Sequence, residues 1–396
     1  MPERTDAPQV TPLITAMPGY ADAGYAADLN ELCALAVEGL RPMFVASEQL
    51  FCYRRELIDD WLFCDGVSAR YTIMTLLGLA AWERSGASSP IDTGRVMSRL
   101  LDNVGRLPGV GDLGLLLWLC AETSPKGVDQ LLGEIDFEIA LARFPDAREG
   151  STTEVAWFLT GLSKAMLAIG QTPVKMRNAA IQAYELLRRN QGPAGIFGHI
   201  RKARTLAATL RSHLGCFADQ VYPIVALAAY AELSGQTEAL HRAKACADAI
   251  CRAQGPQGQW WWHYHSSTGA VISRYPVYSV HQDGMAPMAL LALSKAGAGD
   301  YREAIYKGLD WIYGANELGV NLCDSVRQVI WRSIQPSGKY STYLTAALGM
   351  MGLERSTRIR QLRILRECRP YHFGWLLYAL ADHQAASRWA TESKPC

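Results

Sequence analysis

Two segments of this 396-residue chain repeat each other, and the repeat restricts the fold more than any other feature of the sequence. Gln191-Gly192-Pro193-x-Gly195-x-Phe197 returns as Gln254-Gly255-Pro256-x-Gly258-x-Trp260, an offset of 63 (254 − 191). Asp219-x-x-x-Pro223-x-x-x-Leu227-Ala228 returns as Asp283-x-x-x-Pro287-x-x-x-Leu291-Ala292, an offset of 64 (283 − 219). Asp65-Gly66 before its own apolar run is a weaker echo of Asp283-Gly284. A period of this size marks stacked supersecondary units, none able to bury its apolar face alone. The unit reads as a helical hairpin with a long Gly/Trp loop. Pro223 and Pro287 are expected in the first turn of the apolar helix, where a missing N–H costs little.

The rest of the chain alternates in the same way. Asp28 to Leu40 and a pattern around Ser47 to Leu62 precede Tyr71 to Trp82, which is apolar almost all round and so belongs in a core. Arg95 to Leu107 is amphipathic, Leu113 to Leu119 apolar, Val128 to Ala142 amphipathic. Ser151-Thr152-Thr153-Glu154 is a capping-box signature before the apolar run ending at Gly170, and Lys175 to Arg189 is amphipathic again. Ala270 to Val280 is the only β-like run. The expectation is an all-α protein in which buried and half-buried helices alternate. Residues 1–25 read as a flexible arm, 26–385 as one domain and 386–396 as a tail.

Thirty-nine basic and 38 acidic residues nearly cancel, which gives no reason to expect nucleic acid or an anionic membrane as partner. The basic run Arg355, Arg358, Arg360, Arg363, Arg366 and Arg369 reads as a solvated helix face or domain-edge loop. Ten cysteines lie scattered with no CxxC pair, as buried free thiols of a reducing compartment would. The first twenty residues lack the pattern of a secretory signal, and no apolar run approaches the ~20 residues of a membrane span. A cytoplasmic location is expected. P-loop, dinucleotide and GxSxG signatures are all missing, which argues against nucleotide hydrolysis, Rossmann redox chemistry and α/β-hydrolase chemistry.

The QxxxGxW pattern, followed by an acidic residue and an apolar helix, resembles the repeat of squalene-cyclase and protein-prenyltransferase toroids. The aromatic loop Trp260-Trp261-Trp262-His263-Tyr264-His265 is also similar to the G-x-W-x-H loops of six-hairpin glycosidases and sugar epimerases. Both resemblances imply an α/α toroid in which inner-helix N-termini open into one central cavity. The cyclase DxDD is reduced here to Val280-His281-Gln282-Asp283, and the prenyltransferase zinc set lacks its Cys after Asp283.

On that architecture, polar residues at inner-helix starts converge: Asp65, Glu154, Asp219, Asp283 and the segment Arg369-Pro370-Tyr371-His372. Such residues are also ordinary helix caps, and Glu154 reads as one because Ser151 completes its box. Asp283, His281, Asp219 and His372 are the candidate acid/base residues. Trp260, Trp262, His263, Tyr278, Arg332 and Tyr371 are the candidate substrate contacts, with one tryptophan of the three expected to reach the cavity. Arg332, in an otherwise apolar stretch, needs a carboxylate partner. His263-x-His265 with His281-x-Asp283 would supply mixed nitrogen and oxygen ligands for a divalent metal if the loop were extended. Surface histidines are the simpler reading, and no cofactor is expected. The leading expectation is a carbohydrate-active enzyme, a glycoside hydrolase, lyase or epimerase, with a small-molecule or oligosaccharide substrate. A terpenoid cyclase or prenyltransferase-like enzyme and a non-catalytic glycan- or protein-binding toroid remain open beside it.

Overall fold

The computed structural model describes residues 29–107, 109–135, 140, 151–199, 213–337 and 361–381. The expected arm, tail and half of the basic run (Arg355, Arg358 and Arg360) lie outside these residues. Twelve α-helices are found among the described residues, and they alternate between an outer and an inner layer. The outer helices are α1 (Leu29–Leu40), α3 (Thr93–Leu101), α5 (Pro125–Glu134), α7 (Val174–Asn190), α9 (Thr237–Arg252) and α11 (Arg302–Ile312). The inner ones are α2 (Ala69–Arg84), α4 (Val110–Thr123), α6 (Thr152–Ile169), α8 (Ala218–Ser234), α10 (Ala286–Lys295) and α12 (Pro370–Leu380). Each inner helix packs on the next, and α12 packs back on α2, so the inner layer is a closed ring. The fold is all-α, an α/α toroid.

Sequence decides which layer a helix joins. In α2, every residue from Thr72 to Ala81 is buried, because the segment is apolar on all sides. In α3 only Val96 and Leu100 are buried, one apolar stripe on a charged helix. Two glycine pairs let inner helices touch backbone to backbone. A Cβ on Gly78 of α2 would lie 2.1 Å from Gly374 O of α12, and one on Gly161 of α6 would lie 2.1 Å from Gly114 O of α4. No side chain fits at either crossing.

The repeat works as a pair of pins. Gln191 Nε2 donates to Gly195 O (2.9 Å) and to Arg242 O of α9 (2.9 Å). Gln254 Nε2 donates to Gly258 O (3.0 Å) and to Ala304 O of α11 (2.8 Å). Each glutamine thus fastens the end of one outer helix to the next. Gly195 (φ 86°) and Gly258 (φ 90°) take backbone conformations that side chains disfavour.

A third glutamine corrects the sequence alignment of the two repeats. Gln220 Oε1 accepts from Phe197 N (2.8 Å) and its Nε2 donates to Phe197 O (2.9 Å). Gln282 is placed comparably in the next repeat: with its amide turned so that both ends are satisfied, its oxygen accepts from Trp260 N (3.2 Å) and its nitrogen donates to Gly258 O (3.0 Å). Gln282 therefore matches Gln220, an offset of 62, whereas Pro287 matches Pro223 at 64. The two additional residues are absorbed in a π-helical turn, His281–Met285. The residue in the place of Asp219 is His281, not Asp283. Pro223 is also deeper than expected, five residues beyond the helix start at Ala218, in the second turn of α8.

The region Ser47 to Leu62 is not helical. Its residues form strand β2 (Leu50–Ile58), which pairs antiparallel with β3 (Trp61–Val67). Asp59 (φ 46°) and Asp60 (φ 65°) make the two-residue turn, as a tight hairpin requires. The remaining strands are short: β1 (Phe44–Val45), β4 (Leu214–Cys216), β5 (His263–His265), β6 (Val271–Ser273), β7 (Val277–Tyr278), β8 (Cys323–Asp324), β9 (Val329–Ile330), β10 (Ser333–Pro336), β11 (Leu362–Leu365) and β12 (Glu367–Cys368). They exceed the single β-like run that the sequence suggests. Every one lies in a connection that leads from an outer helix into the start of an inner helix. Arg363 and Arg366, from the basic run, lie in and beside β11 instead of on a helix. No described helix is long and apolar enough to cross a membrane.

Candidate active site

The starts of the inner helices meet in a continuous circuit of side chains. At α2, Arg70 donates to both oxygens of buried Asp112 at the start of α4 (Nε–Oδ1 2.6 Å, Nη2–Oδ2 2.8 Å). The same guanidinium reaches Glu154 Oε1 of α6 (2.9 Å) and lies over the Trp157 ring at 5.1 Å. Gly111 N donates to Glu154 Oε2 (2.9 Å), and a Cβ at 111 would fall 2.1 Å from that oxygen, so the contact depends on glycine. Ser151 caps α6 by accepting from Glu154 N (3.3 Å). The Glu154 side chain does not complete the box; it belongs to the Arg70 cluster. Burial pushes the Glu154 carboxyl above the usual carboxylate range, against the pull of Arg70.

The circuit continues through Thr153, whose hydroxyl donates to Asp219 Oδ1 of α8 (2.9 Å). Asp219 is fully buried and also accepts from Cys216 N (2.9 Å) and holds His199 Nδ1 at 3.0 Å. Its burial opposes the charged form, but His199 and these hydrogen bonds outweigh it and hold the carboxyl below its usual range. His199 is the outer member of the pair, with its side chain 50% exposed. Phe217, at the α8 cap, packs 4.6 Å from the His281 ring, and Tyr278 packs 5.1 Å from it on the other side. Burial among these rings, with Arg332 nearby, lowers the His281 pKa from 6.5 to about 3.

Arg332 lies over Tyr278 at 5.1 Å and donates to Glu367 Oε1 at 2.8 Å. Glu367, the carboxylate that this arginine requires, is shared with Arg369 and with Arg54 (3.3 Å). Its burial favours the neutral form, yet the surrounding guanidiniums hold its pKa below the usual value. Arg369 then donates to Tyr71 Oη (2.7 Å) and Tyr53 Oη (3.0 Å). Tyr71 follows Arg70 in α2, which closes the circuit. Inside it, Tyr371 packs 4.5 Å from Tyr71, and Tyr222 lies among Trp157 (5.1 Å) and Trp375 (5.8 Å).

The sequence candidates fall into four groups. Asp219, His281, Tyr278, Arg332 and Tyr371 are members of this circuit or of its interior. Trp262 is half-buried beside it, 6.0 Å from Tyr278 and 4.3 Å from the half-buried His263. Asp283 and His372 are elsewhere: they bind each other (2.7 Å) beneath the mouth and are 0% and 3% exposed. Their pairing ties the π turn to α12, and burial raises the Asp283 pKa in spite of His372. Trp260 is corrected outright. It is fully buried on Phe217 at 5.5 Å, in the place that Phe197 fills one repeat earlier, and has no surface for a ligand. Asp65 is likewise no helix-start residue; it lies exposed on β3, bound by Arg54 at 3.0 Å.

Asp112, His199, Glu367, Tyr53 and Tyr71 were not singled out. Asp112 had a signal, since it opens an apolar helix just as Asp219 does. Glu367 is a lone acid within an arginine run. His265 stacks on His213 at 5.8 Å. Among the described residues, no group of three or more His, Cys, Asp or Glu side chains is placed to hold a metal ion.

No protein-family model matches the sequence, and no curated protein does. Solved structures do match over nearly the whole chain. An unsaturated glucuronyl hydrolase specific for heparin superposes with a TM-score of 0.56 at 14% identity, over 90% of this chain and 96% of its own. A glycosyl hydrolase family 88 protein from Bacteroides vulgatus gives 0.55 at 12% identity, over 91% and 100%. An unsaturated glucuronyl hydrolase from Streptococcus agalactiae gives 0.55 at 10% identity, over 89% and 90%. The fold is that of the α/α-toroid glycosidases. At these identities the likeness is one of architecture, and function rests on the site.

Proposed function

We propose that this chain is a carbohydrate-active enzyme that cleaves or rearranges an oligosaccharide carrying a uronic acid. The observation that carries the reading is a pair of neighbouring carboxylates whose surroundings push them in opposite directions. Glu154 is raised and Asp219 lowered, and Thr153 links the two. Such a division assigns acid and base roles. Glu154 serves as proton donor. Asp219 orients His199, which serves as base at the exposed side of the dyad.

The saccharide reading is supported by the walls. Tyr71, Tyr278 and Tyr371 offer ring faces, while Arg70, Glu154, Arg332 and Arg369 offer hydrogen bonds. An isoprenoid cavity would be aromatic and aliphatic throughout. The acidic sugar is supported by charge. Arg332 and Arg369 converge on one carboxylate, Glu367, and the other acids of this cluster, Glu56 and Asp65, are held by Arg54 on the hairpin, so two guanidiniums stand at this corner of the circuit. Two of the architecturally similar proteins are described as unsaturated glucuronyl hydrolases, which fits an acidic ligand. The proposed chemistry needs no cofactor. Nine described cysteines are free thiols, in keeping with a cytoplasmic location.

The test is a panel of glucuronic-acid-capped disaccharides, saturated and 4,5-unsaturated, scored by thermal shift and by release of reducing sugar. Binding of a uronide with turnover lost in Glu154→Gln is expected. A protein that binds prenyl diphosphates and no uronide would overturn the reading.

A further inference from the structure

The β2–β3 hairpin carries an unusual outer face. Its cross-strand pairs Ile58↔Trp61, Glu56↔Phe63 and Arg54↔Asp65 share one side of the ribbon. Leu57 and Leu62, on the alternate side, pack against the core. The outer face leaves Trp61 73% exposed, Phe63 53% and Ile58 49%. Scattered apolar residues on a surface need no explanation, but a row of large ones does.

The row is joined to the active-site circuit. Arg54, on this face, binds Asp65 (3.0 Å) and Glu56 (3.2 Å), and its other nitrogen reaches Glu367 (3.3 Å). Glu367 is the carboxylate held by Arg332 and Arg369. Tyr53, in the same strand, stacks on Tyr71 at 5.2 Å. A path therefore runs from the mouth, over Arg54, to Phe63 and Trp61.

We propose that this face is a second saccharide-binding surface, a rail that holds the uncharged distal sugars of an oligosaccharide whose acidic end occupies the mouth. The inference rests on the proposed function. Pyranose rings present C–H faces that pack on aromatic rings, with hydroxyls at their edges. Phe63 and Trp61, two residues apart and so about 6.7 Å along the strand, offer successive ring faces. Arg54, Glu56 and Asp65 offer donors and acceptors to hydroxyls. These carboxylates disfavour a polyanion on the rail, which is why the distal sugars are taken as neutral.

The probe is a ladder of glucuronic-acid-capped xylo-oligosaccharides, from two to five sugars, titrated calorimetrically into the full-length protein. Affinity should rise by about tenfold or more from the shortest to the longest member. Trp61→Ala and Phe63→Ala, both at exposed positions, should each remove most of that gain and leave the disaccharide affinity unchanged. Wild-type affinity that does not depend on length would overturn the rail and leave the mouth intact. A length gain that survives in both variants would also overturn it. Sedimentation of the same samples identifies the rival occupant: a wild-type dimer that Trp61→Ala dissociates, with the length gain kept, makes the face a self-association surface. A wild-type protein that binds no member of the ladder removes both the proposed function and the rail.

Discussion

His372 Nε2 lies 2.7 Å from Asp283 Oδ1, and the pair is closed off from solvent between the π turn and α12. Removing one partner leaves the other buried alone, which is far costlier than removing an exposed group. Asp283→Ala should destabilise by about 3 kcal/mol. Asp283→Asn keeps the shape and one acceptor, so it should cost less and retain most of the turnover. Denaturant unfolding and steady-state rates on both variants check this. Loss of turnover in Asp283→Asn with an unchanged midpoint would instead make this pair part of the chemistry.

Glu154→Gln should lower kcat by about 10²–10⁴-fold, the usual worth of a placed proton donor. Stability should change little, since Gln still accepts from Gly111 N and Arg70 keeps Asp112. The wild-type rate should fall on the alkaline side, as pH rises through the raised Glu154 pKa and the donor loses its proton. A pH–rate profile of kcat/KM whose alkaline limb is untouched by the substitution would count against Glu154.

His281 predicts an acid-side loss of stability. Its folded-state pKa is lowered from 6.5 to about 3, so between these values the unfolded chain takes up a proton that the folded one refuses. Its effect is therefore nil above about pH 6.5, and stability falls as pH drops toward 3, by up to about 1.4 kcal/mol per pH unit. Asp219 acts in the same direction. Its lowered pKa gives stability that is present above the ordinary carboxylate value and lost as pH falls through the folded one. Unfolding free energies of wild type and His281→Asn from pH 7 to 4 should diverge in slope. Parallel curves would refute the buried neutral histidine.

The glutamine pins are testable on stability alone. Gln254→Ala deprives Ala304 O of its side-chain donor and Gly258 O of one of two, and should cost about 1–2 kcal/mol. Gly258→Ala should cost more, because its φ is 90° and the new Cβ would lie 2.0 Å from Lys307 O. A Gly258→Ala variant that melts with wild type would show that the loop has room to move.

The toroid was legible because its causes are local and periodic. Segments apolar all round, such as Tyr71 to Trp82, and a repeated QGPxGx-aromatic loop admit few other folds. The hairpin at Leu50–Val67 was not, because its charged residues, Arg54 to Glu56, blur the period-two pattern. Asp219 was marked by the repeat, as a polar residue at an inner-helix start, and Arg332 as a charge in an apolar stretch. His199 was missed because nothing in its own neighbourhood marks it; its role comes from Asp219, twenty residues on. Asp283 was matched to Asp219 two residues out of place because a motif match aligns letters, and a π turn shifts the side chains beneath them.

The contact between Gly78 and Gly374 has a consequence for how the protein is made. It joins the first inner helix to the last, so the ring cannot close until residue 374 is available to residue 78. The mouth uses both ends of that span, Arg70 and Tyr71 from one and Arg369 and Tyr371 from the other. During synthesis the growing chain can stack hairpin on hairpin, but the face of α2 that receives α12 must stay uncovered until translation has passed the last helix. The mouth is thus the final part of the molecule to come into being: a chain cut short before α12 has Glu154, Asp219 and His199 but lacks Tyr371 and the helix that closes the ring.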